Sequence, residues 1–414
     1  MESLRFIRDN LRFLSVGVIL LLTSCPGQTF FISIYAAEIM SEFALSDGQW
    51  GGAYTLATTA SAVALFWAGG LTDRFRVRVL AWIVLPGLAL SCIAMGLNRS
   101  VTGLILIVFL LRFFGQGMTY QLAATAMARW FVGRRGLALS ISAMGFAFGQ
   151  AFYPMIFAAL LDHFSWRILW GIAAGLVLLA FPIILYLLRF ERTPASHADS
   201  ASSEGMDNRH WTRGEVVRSP IFLLLLPMLV GPSAWGTSLF FQQVHIAAVK
   251  GWPLVDYLAL IPLMTAISVA ITLTSGALID RFGSGRAMQF FLLPWIVGFL
   301  VLALAKTLVM ATVAFLSFGV AAGLQATLIT AFWAEFFGTR HIGGIKALST
   351  SIMVFGSAIG PGISGYLIDF GYDFPAQMFA ISGYFAIATL LVWLAVETAS
   401  ARLPRPAQVD IERA

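Results

Sequence analysis

Charge is what this sequence has least of. Only 11% of its 414 residues are Asp, Glu, Lys or Arg, against 59% hydrophobic. A soluble domain carries about 25% charged residues, so the composition excludes a water-exposed globular chain. One core cannot absorb that much apolar surface; a bilayer can. Cysteine is equally sparse. Cys25 and Cys92 both fall inside apolar runs, which gives neither a disulfide framework nor a Cys/His metal spacing. A phosphate-binding loop is missing, so ATP-driven work by this chain is not expected. With no legible nucleophile–base pairing, neither an enzyme activity nor a cofactor is expected. Carboxylates are missing from mid-span: Glu38, Asp162, Asp256 and Asp369 stand at outer span ends, as does His245. An obligatory proton relay normally uses an intramembrane Asp, Glu or His.

What is present is apolar length. Runs long enough to cross a membrane, at about 20 residues each, occupy 12–37, 49–71, 79–97, 101–127, 136–161 and 167–188, then 220–247, 254–279, 287–305, 308–333, 342–367 and 374–396. The 35 Phe and 12 Trp suit lipid contact and interfacial belts. The pattern predicts an all-α membrane protein of twelve transmembrane helices in two six-helix bundles. The bundles cover 1–188 and 220–397, with a polar linker at 189–219 and a tail at 398–414. Cys25 follows Leu22-Thr23-Ser24 as in a lipoprotein signal, but the apolar run continues to Ala37, so an uncleaved first helix is expected.

The formal charge of +6 suits a nucleic-acid binder or a set of topology signals. The arginines sit in loops beside apolar spans, which favours the second, and no nucleic-acid partner is expected. Of the 26 Lys and Arg, Arg99, Arg167, Lys250 and Lys306 fall on one side and Arg112 within a span; the others gather on the opposite side. That bias predicts both termini in the cytoplasm.

The chain also repeats itself. GGLTDRF at Gly69–Phe75 returns as GALIDRF at Gly276–Phe282, a shift of 276 − 69 = 207. Leu161-Asp162 returns as Ile368-Asp369 at the same shift, and Ala128–Gly136 has a weaker echo at Ala334–Gly344. Two parallel halves follow. The G-x-L-x-D-R-F loop, Arg112-x-x-x-Gln116-Gly117 in the fourth span, and the Gly145, Gly149, Pro154 pattern of the fifth resemble three signatures of the major facilitator superfamily. ARWFVGRRGLALSISAMGFAFGQAFYP followed by DHFSWR is similar to the bacterial oxalate/formate and monocarboxylate porter branch. The resemblance implies a monomeric secondary transporter of the bacterial inner membrane, working by alternating access on a small-molecule substrate, with protons as a candidate coupling partner.

Several residues become candidates. Asp73 and Arg74 end the second span, where a carboxylate can meet the positive end of another helix or pair with Arg129. Asp280 and Arg281 mirror them. The resemblance implies that these five form a cytoplasmic gate; solvated loop charge is the plainer alternative. Arg112 is the lone ionisable residue near mid-span, at a cost of at least about 2.5 kcal/mol. Either it binds an anionic substrate, or it hydrogen-bonds polar groups of the first and fifth spans such as Gln28 or Gln150. The family's fourth-helix arginine, often part of the framework, favours the second.

The resemblance implies a cavity lined by spans 1, 4, 7 and 10. There Gln28, Phe31, Arg112, Gln116, Tyr120, Trp235, Ser238, Phe241, Gln242 and Gln325 are substrate-binding candidates, with helix packing the alternative for each. Breaks at Pro26-Gly27 and Gly231-Pro232 point to the same depth. Glu38, His245 and Asp256 are candidates for proton entry. The eighth span carries no Lys or Arg, Lys346 lies near the inner end of the eleventh, and Arg76 stands where the family loop has glycine. These are departures from the anion porters. The expected solute is a small organic anion such as a monocarboxylate. The alternatives are efflux of amphipathic compounds and a non-transporting sensor or scaffold.

Overall fold

The computed structural model describes residues 2–68, 71–131, 135–190 and 204–403, with side chains at all of these except 2–4, 66, 73, 74, 128, 135, 190 and 280. Twelve long helices account for the apolar runs. The first bundle holds α1 (Glu2–Thr23), α2 (Asp47–Ala68), α3 (Val77–Leu97), α4 (Val101–Leu111, continued by Arg112–Thr119 and Tyr120–Trp130), α5 (Arg135–Leu161) and α6 (Trp166–Leu187). The second holds α7 (Pro220–Phe241), α8 (Leu260–Phe282), α9 (Leu293–Leu304), α10 (Leu308–Phe337), α11 (Ile342–Asp369) and α12 (Phe374–Ser400). Eleven of the described helices are long and apolar enough to span alone, and twelve if one bent pair counts as a span.

The duplication is visible in local geometry. Ser100 caps α4 by accepting from Gly103 N–H, and Thr307 caps α10 by accepting from Met310 N–H. These pairs are 207 apart (100 to 307, 103 to 310). Pro154 in α5 and Pro361 in α11 keep the same spacing. Within the first bundle α1 packs on α5 and α6, α3 on α6, and α2 on α4. Within the second, α7 packs on α11 and α12, α8 on α10, and α9 on α10 and α12.

The start of α1 and the end of α12 share one end with the arginine-rich loops, the inner end; the opposite end is the outer one. Contacts between the bundles gather at the outer end. Asp369 at the foot of α11 accepts from Ser46 Oγ (2.6 Å) and Gly48 N–H (3.0 Å), seating a carboxylate on the N-terminus of α2. Thr55 Oγ1 donates to the Ala358 carbonyl at 2.8 Å. Glycines allow this approach: a Cβ on Gly51 would meet the Pro361 carbonyl, and one on Gly362 would meet Thr55. Nearer the pseudo-twofold axis, Ser33 Oγ donates to the carbonyl of Phe240, its mate 207 residues on, at 2.7 Å. Gln243 Nε2 adds bonds to the Phe30 carbonyl (3.0 Å) and Ser33 Oγ (3.1 Å).

Within the expected linker, residues 191–203 lie outside the described ones, and the rest docks beneath the second bundle. Trp211 is buried, with its backbone N–H on the Phe337 carbonyl at 3.0 Å, its indole N–H on the Met206 carbonyl at 3.1 Å, and the guanidiniums of Arg209 (4.2 Å) and Arg402 (5.4 Å) against its ring. Arg402 also bonds both oxygens of Asp207, which holds that carboxyl below its ordinary value. Thr212 and Glu215 close a capping box on the short helix Arg213–Arg218.

Candidate functional site

Two breaks in regular helix meet near mid-membrane. α1 ends at Thr23, and Pro26, lacking an N–H, sits in the 3-10 turn Cys25–Gly27. Gln28 is extended, and helix resumes at Thr29. Opposite, α4 widens into a π-helical segment over Arg112–Thr119, a distortion frequent at functional sites. Glycines bring the two together: a Cβ on Gly115 would lie 2.7 Å from the Gly27 Cα.

Arg112 stands at this junction, 1% exposed. Its Nη1 donates to the Gly27 carbonyl at 3.3 Å and to Thr29 Oγ1 at 3.2 Å. Thr29 Oγ1 is in turn 2.6 Å from the Tyr54 hydroxyl of α2, and the guanidinium carbon lies 5.4 Å from the Tyr54 ring centroid. Nε and Nη2 are buried with no hydrogen-bond partner among the described residues, and no Asp or Glu pairs with the charge there. One turn along α2 from Tyr54, Thr58 Oγ1 is also buried, with no partner among the described residues. A guanidinium donates in a planar fork suited to a carboxylate. One arm of this fork is held by the scaffold; the other edge has its donors unsatisfied, where each unmade bond is costly.

Neither Gln28 nor Gln150 bonds Arg112 among the described residues, and Gln28 is a near miss in sequence. The residues on either side of Gln28 hold the guanidinium, while the Gln28 amide itself reaches back to Ser24 Oγ at 3.5 Å. Gln116 and Tyr120 follow on α4, part-exposed, with Tyr120 edge-on to Phe146 at 6.2 Å. Phe31 is turned into the first bundle, among Tyr35, Tyr153, Phe157 and Trp170. On α7, Trp235 meets Tyr384 of α12 at 6.1 Å, and Ser238 bonds the Ala234 carbonyl one turn back. Gln242 donates to Ser364 Oγ at 3.1 Å. Phe241 crosses to the first bundle, stacked on Trp50 at 5.6 Å and 4.7 Å from Tyr54. Gln325 is part-buried on α10.

The side chains of Asp73, Arg74 and Asp280 lie outside the described ones. Arg129 is part-buried at the inner end of α4, and Arg281 covers the Phe282 ring at 5.3 Å. At the outer end His245 lies 4.0 Å from Asp47 and 3.5 Å from Asp373, joining the bundles. Glu38 has one buried, unpartnered carboxylate oxygen, and Asp256 is exposed in the first turn of the short helix Leu254–Leu258.

Thr29 and Tyr54 escaped the sequence reading. A Thr and a Tyr inside apolar spans look like ordinary packing residues. The available signal was the Pro26-Gly27 break, which frees backbone and side-chain acceptors for a cation nearby.

Comparison with known proteins agrees with this architecture. The family model for the Major Facilitator Superfamily matches residues 17–345 and 263–411. An oxalate:formate antiporter of Oxalobacter formigenes is 22% identical over 403 residues, covering 92% of each chain. Monocarboxylate transporter 13 of Bos taurus is 25% identical over 310 residues, 72% of this chain and 69% of that one. Among solved structures, an inward-facing, unoccupied bacterial homologue of the human lysosomal transporter Spinster superposes with a TM-score of 0.69 at 17% identity, covering 96% of this chain and 99% of that one. With two repeated six-helix bundles meeting over a broken mid-membrane junction, and a family model that spans nearly its whole length, this chain belongs to the major facilitator superfamily.

Proposed function

We propose that this transporter carries a small organic anion of the monocarboxylate or oxalate class by secondary alternating access. The observation that carries the reading is Arg112: a buried cation, fixed by one nitrogen, whose remaining donors have no described protein partner. A carboxylate placed there satisfies two donors at once and neutralises a charge that the bilayer penalises. The named activities of the two relatives agree with such a solute. The sealed outer end is the closed gate, and the part-exposed Gln116, Tyr120 and Gln325 face the inward path. Both termini then lie in the cytoplasm of a bacterial cell, with Asp73, Arg74, Arg129, Asp280 and Arg281 serving the inner gate once it closes. Glu38, His245 and Asp256 stand where external protons arrive.

The test is counterflow in proteoliposomes. Vesicles preloaded with unlabelled formate or oxalate should accumulate the labelled anion, with and without a pH gradient, and Arg112→Gln should abolish it. Accumulation of neither anion, or full activity in Arg112→Gln, overturns the reading. A pH-gradient effect on uptake but not on exchange assigns the proton as co-substrate.

A further inference from the structure

Tyr54 connects two things that a transporter must keep in step. It is fully buried on α2. One face of its ring serves the Arg112 guanidinium, at 5.4 Å, and its hydroxyl holds Thr29, which itself accepts from Arg112. The same ring lies 4.7 Å from Phe241, the last residue of α7 in the other bundle, which also stacks on Trp50 one turn before Tyr54. The next residue, Thr55, makes the α2–α11 bond across the seam. An outer opening that parts α7 and α11 from α2 separates Phe241 from Tyr54 and breaks the Thr55–Ala358 bond. An anion at Arg112 acts on the same ring through the guanidinium. It cancels the positive charge that draws the guanidinium to the ring face, an attraction that is electrostatic in origin.

We propose that Tyr54 is the positioning residue that couples anion occupancy at Arg112 to the outer gate. With the site empty, the linked Arg112–Tyr54 and Tyr54–Phe241 contacts favour the sealed outer end. With an anion bound, the first contact weakens, the ring relaxes, and the outward-open state gains population. The hydroxyl and the ring have separate tasks: the first sets Arg112 through Thr29, the second carries the coupling. The inference rests on the anion reading of Arg112.

The test uses spin labels on the full-length protein at Arg99→Cys and Lys306→Cys, exposed outer-loop positions 207 apart; both native cysteines are buried. Pulsed electron–electron distances are recorded with and without saturating oxalate, and oxalate affinity is measured by calorimetry. In the parent protein oxalate should raise the long-distance population. Tyr54→Phe should bind oxalate about fivefold more weakly, having lost one hydrogen bond, yet show the same shift at saturation. Tyr54→Leu should still bind oxalate, since the Gly27 and Thr29 contacts stay, but show no shift. A shift in Tyr54→Leu equal to that of the parent overturns the coupling role while the anion reading stands. Loss of the shift in both variants assigns Tyr54 to structure and also overturns it. A parent that binds no oxalate, formate or other carboxylate overturns the anion reading, and the coupling falls with it.

Discussion

Arg112 and Gly319 occupy equivalent places in the two halves, 207 residues apart, and nothing about them is alike. Around Arg112 both neighbouring helices depart from α geometry: α1 is broken at Cys25–Gly27 and α4 is π-helical over Arg112–Thr119. Around Gly319, α10 runs unbroken from Leu308 to Phe337, and the glycine lets it lie against α8, where a Cβ would come within 2.6 Å of the Met264 carbonyl. The duplication therefore supplies the frame twice and the charge once. A mid-membrane cation needs acceptors, and the broken backbone beside Arg112 supplies one in the Gly27 carbonyl. The second bundle has no counterpart to Arg112 at Gly319, and packs there on aromatic rings such as the Trp295–Phe385 stack at 5.6 Å.

The outer seams show a second asymmetry. Where α2 meets α11, Gly48 and Gly51 face Pro361, Gly362 and Asp369. At the mated positions of α5 and the start of the α8 segment stand Met155, Val255 and Leu258, and Asp162, the mate of Asp369, is exposed. The bundles are hinged closely along one seam and loosely along the other.

These contrasts can be broken by mutation. The largest effect is expected from Gly115→Ala. Its new methyl would drive into Gly27 and part the two broken helices, costing about 3 kcal/mol in thermal stability and abolishing anion binding together. Gly319→Ala, the matched overpacking in the other half, should cost about 1–3 kcal/mol in the same melt while leaving oxalate affinity within about twofold. If Gly319→Ala impairs binding as much as Gly115→Ala, the two halves contribute alike and the asymmetry is wrong. Next in size, Asp369→Asn removes the negative charge seated on the N-terminus of α2, a loss of about 1 kcal/mol, and should raise the outward-open population about fivefold in distance measurements; Asp162→Asn should change nothing.

The smallest effect concerns the inner clasp. Hydrogen bonding to Arg402 lowers the Asp207 carboxyl, so its stabilising contribution is fully present above the ordinary carboxylate value of about 3.9 and is lost as pH falls through the lowered one. Both side chains are over one-third exposed, so solvent screening keeps the contribution under about 1 kcal/mol. The opening equilibrium at 206–218, from hydrogen exchange corrected for the intrinsic rate at each pH, should be flat from pH 7 to 5 and rise only below about pH 4. A rise between pH 7 and 5 would assign the clasp to another group.

Much of this was legible beforehand, for physical reasons. Apolar runs must be helices in a bilayer, and a motif repeated at a constant shift must be a repeated bundle, so the fold followed from patterning. Arg112 stood out because a charge at mid-span is rare and expensive. What surrounds it did not stand out. Thr29 and Tyr54 become partners only because the chain unwinds at Pro26 and α4 widens, and neither event is encoded in periodicity. The resemblance likewise puts Phe31 on the cavity list. The broken segment instead sets its ring against Trp170 at 5.2 Å, inside the first bundle. Ser238 and Gln242, candidates as mid-span polar groups, bond Ala234 and Ser364 in this state.

One binding measurement bears most directly on Arg112. Oxalate and formate are titrated calorimetrically into the purified protein and into Arg112→Gln, with melting curves to establish that the variant is folded. The loss of charge-assisted hydrogen bonds, at about 1.5–3 kcal/mol, should weaken anion binding roughly tenfold to a hundredfold without lowering the melting midpoint, since a buried charge with unsatisfied donors is removed. Unchanged affinity for every anion, with a lowered melting midpoint, would make Arg112 a framework residue and contradict the transport site described for it.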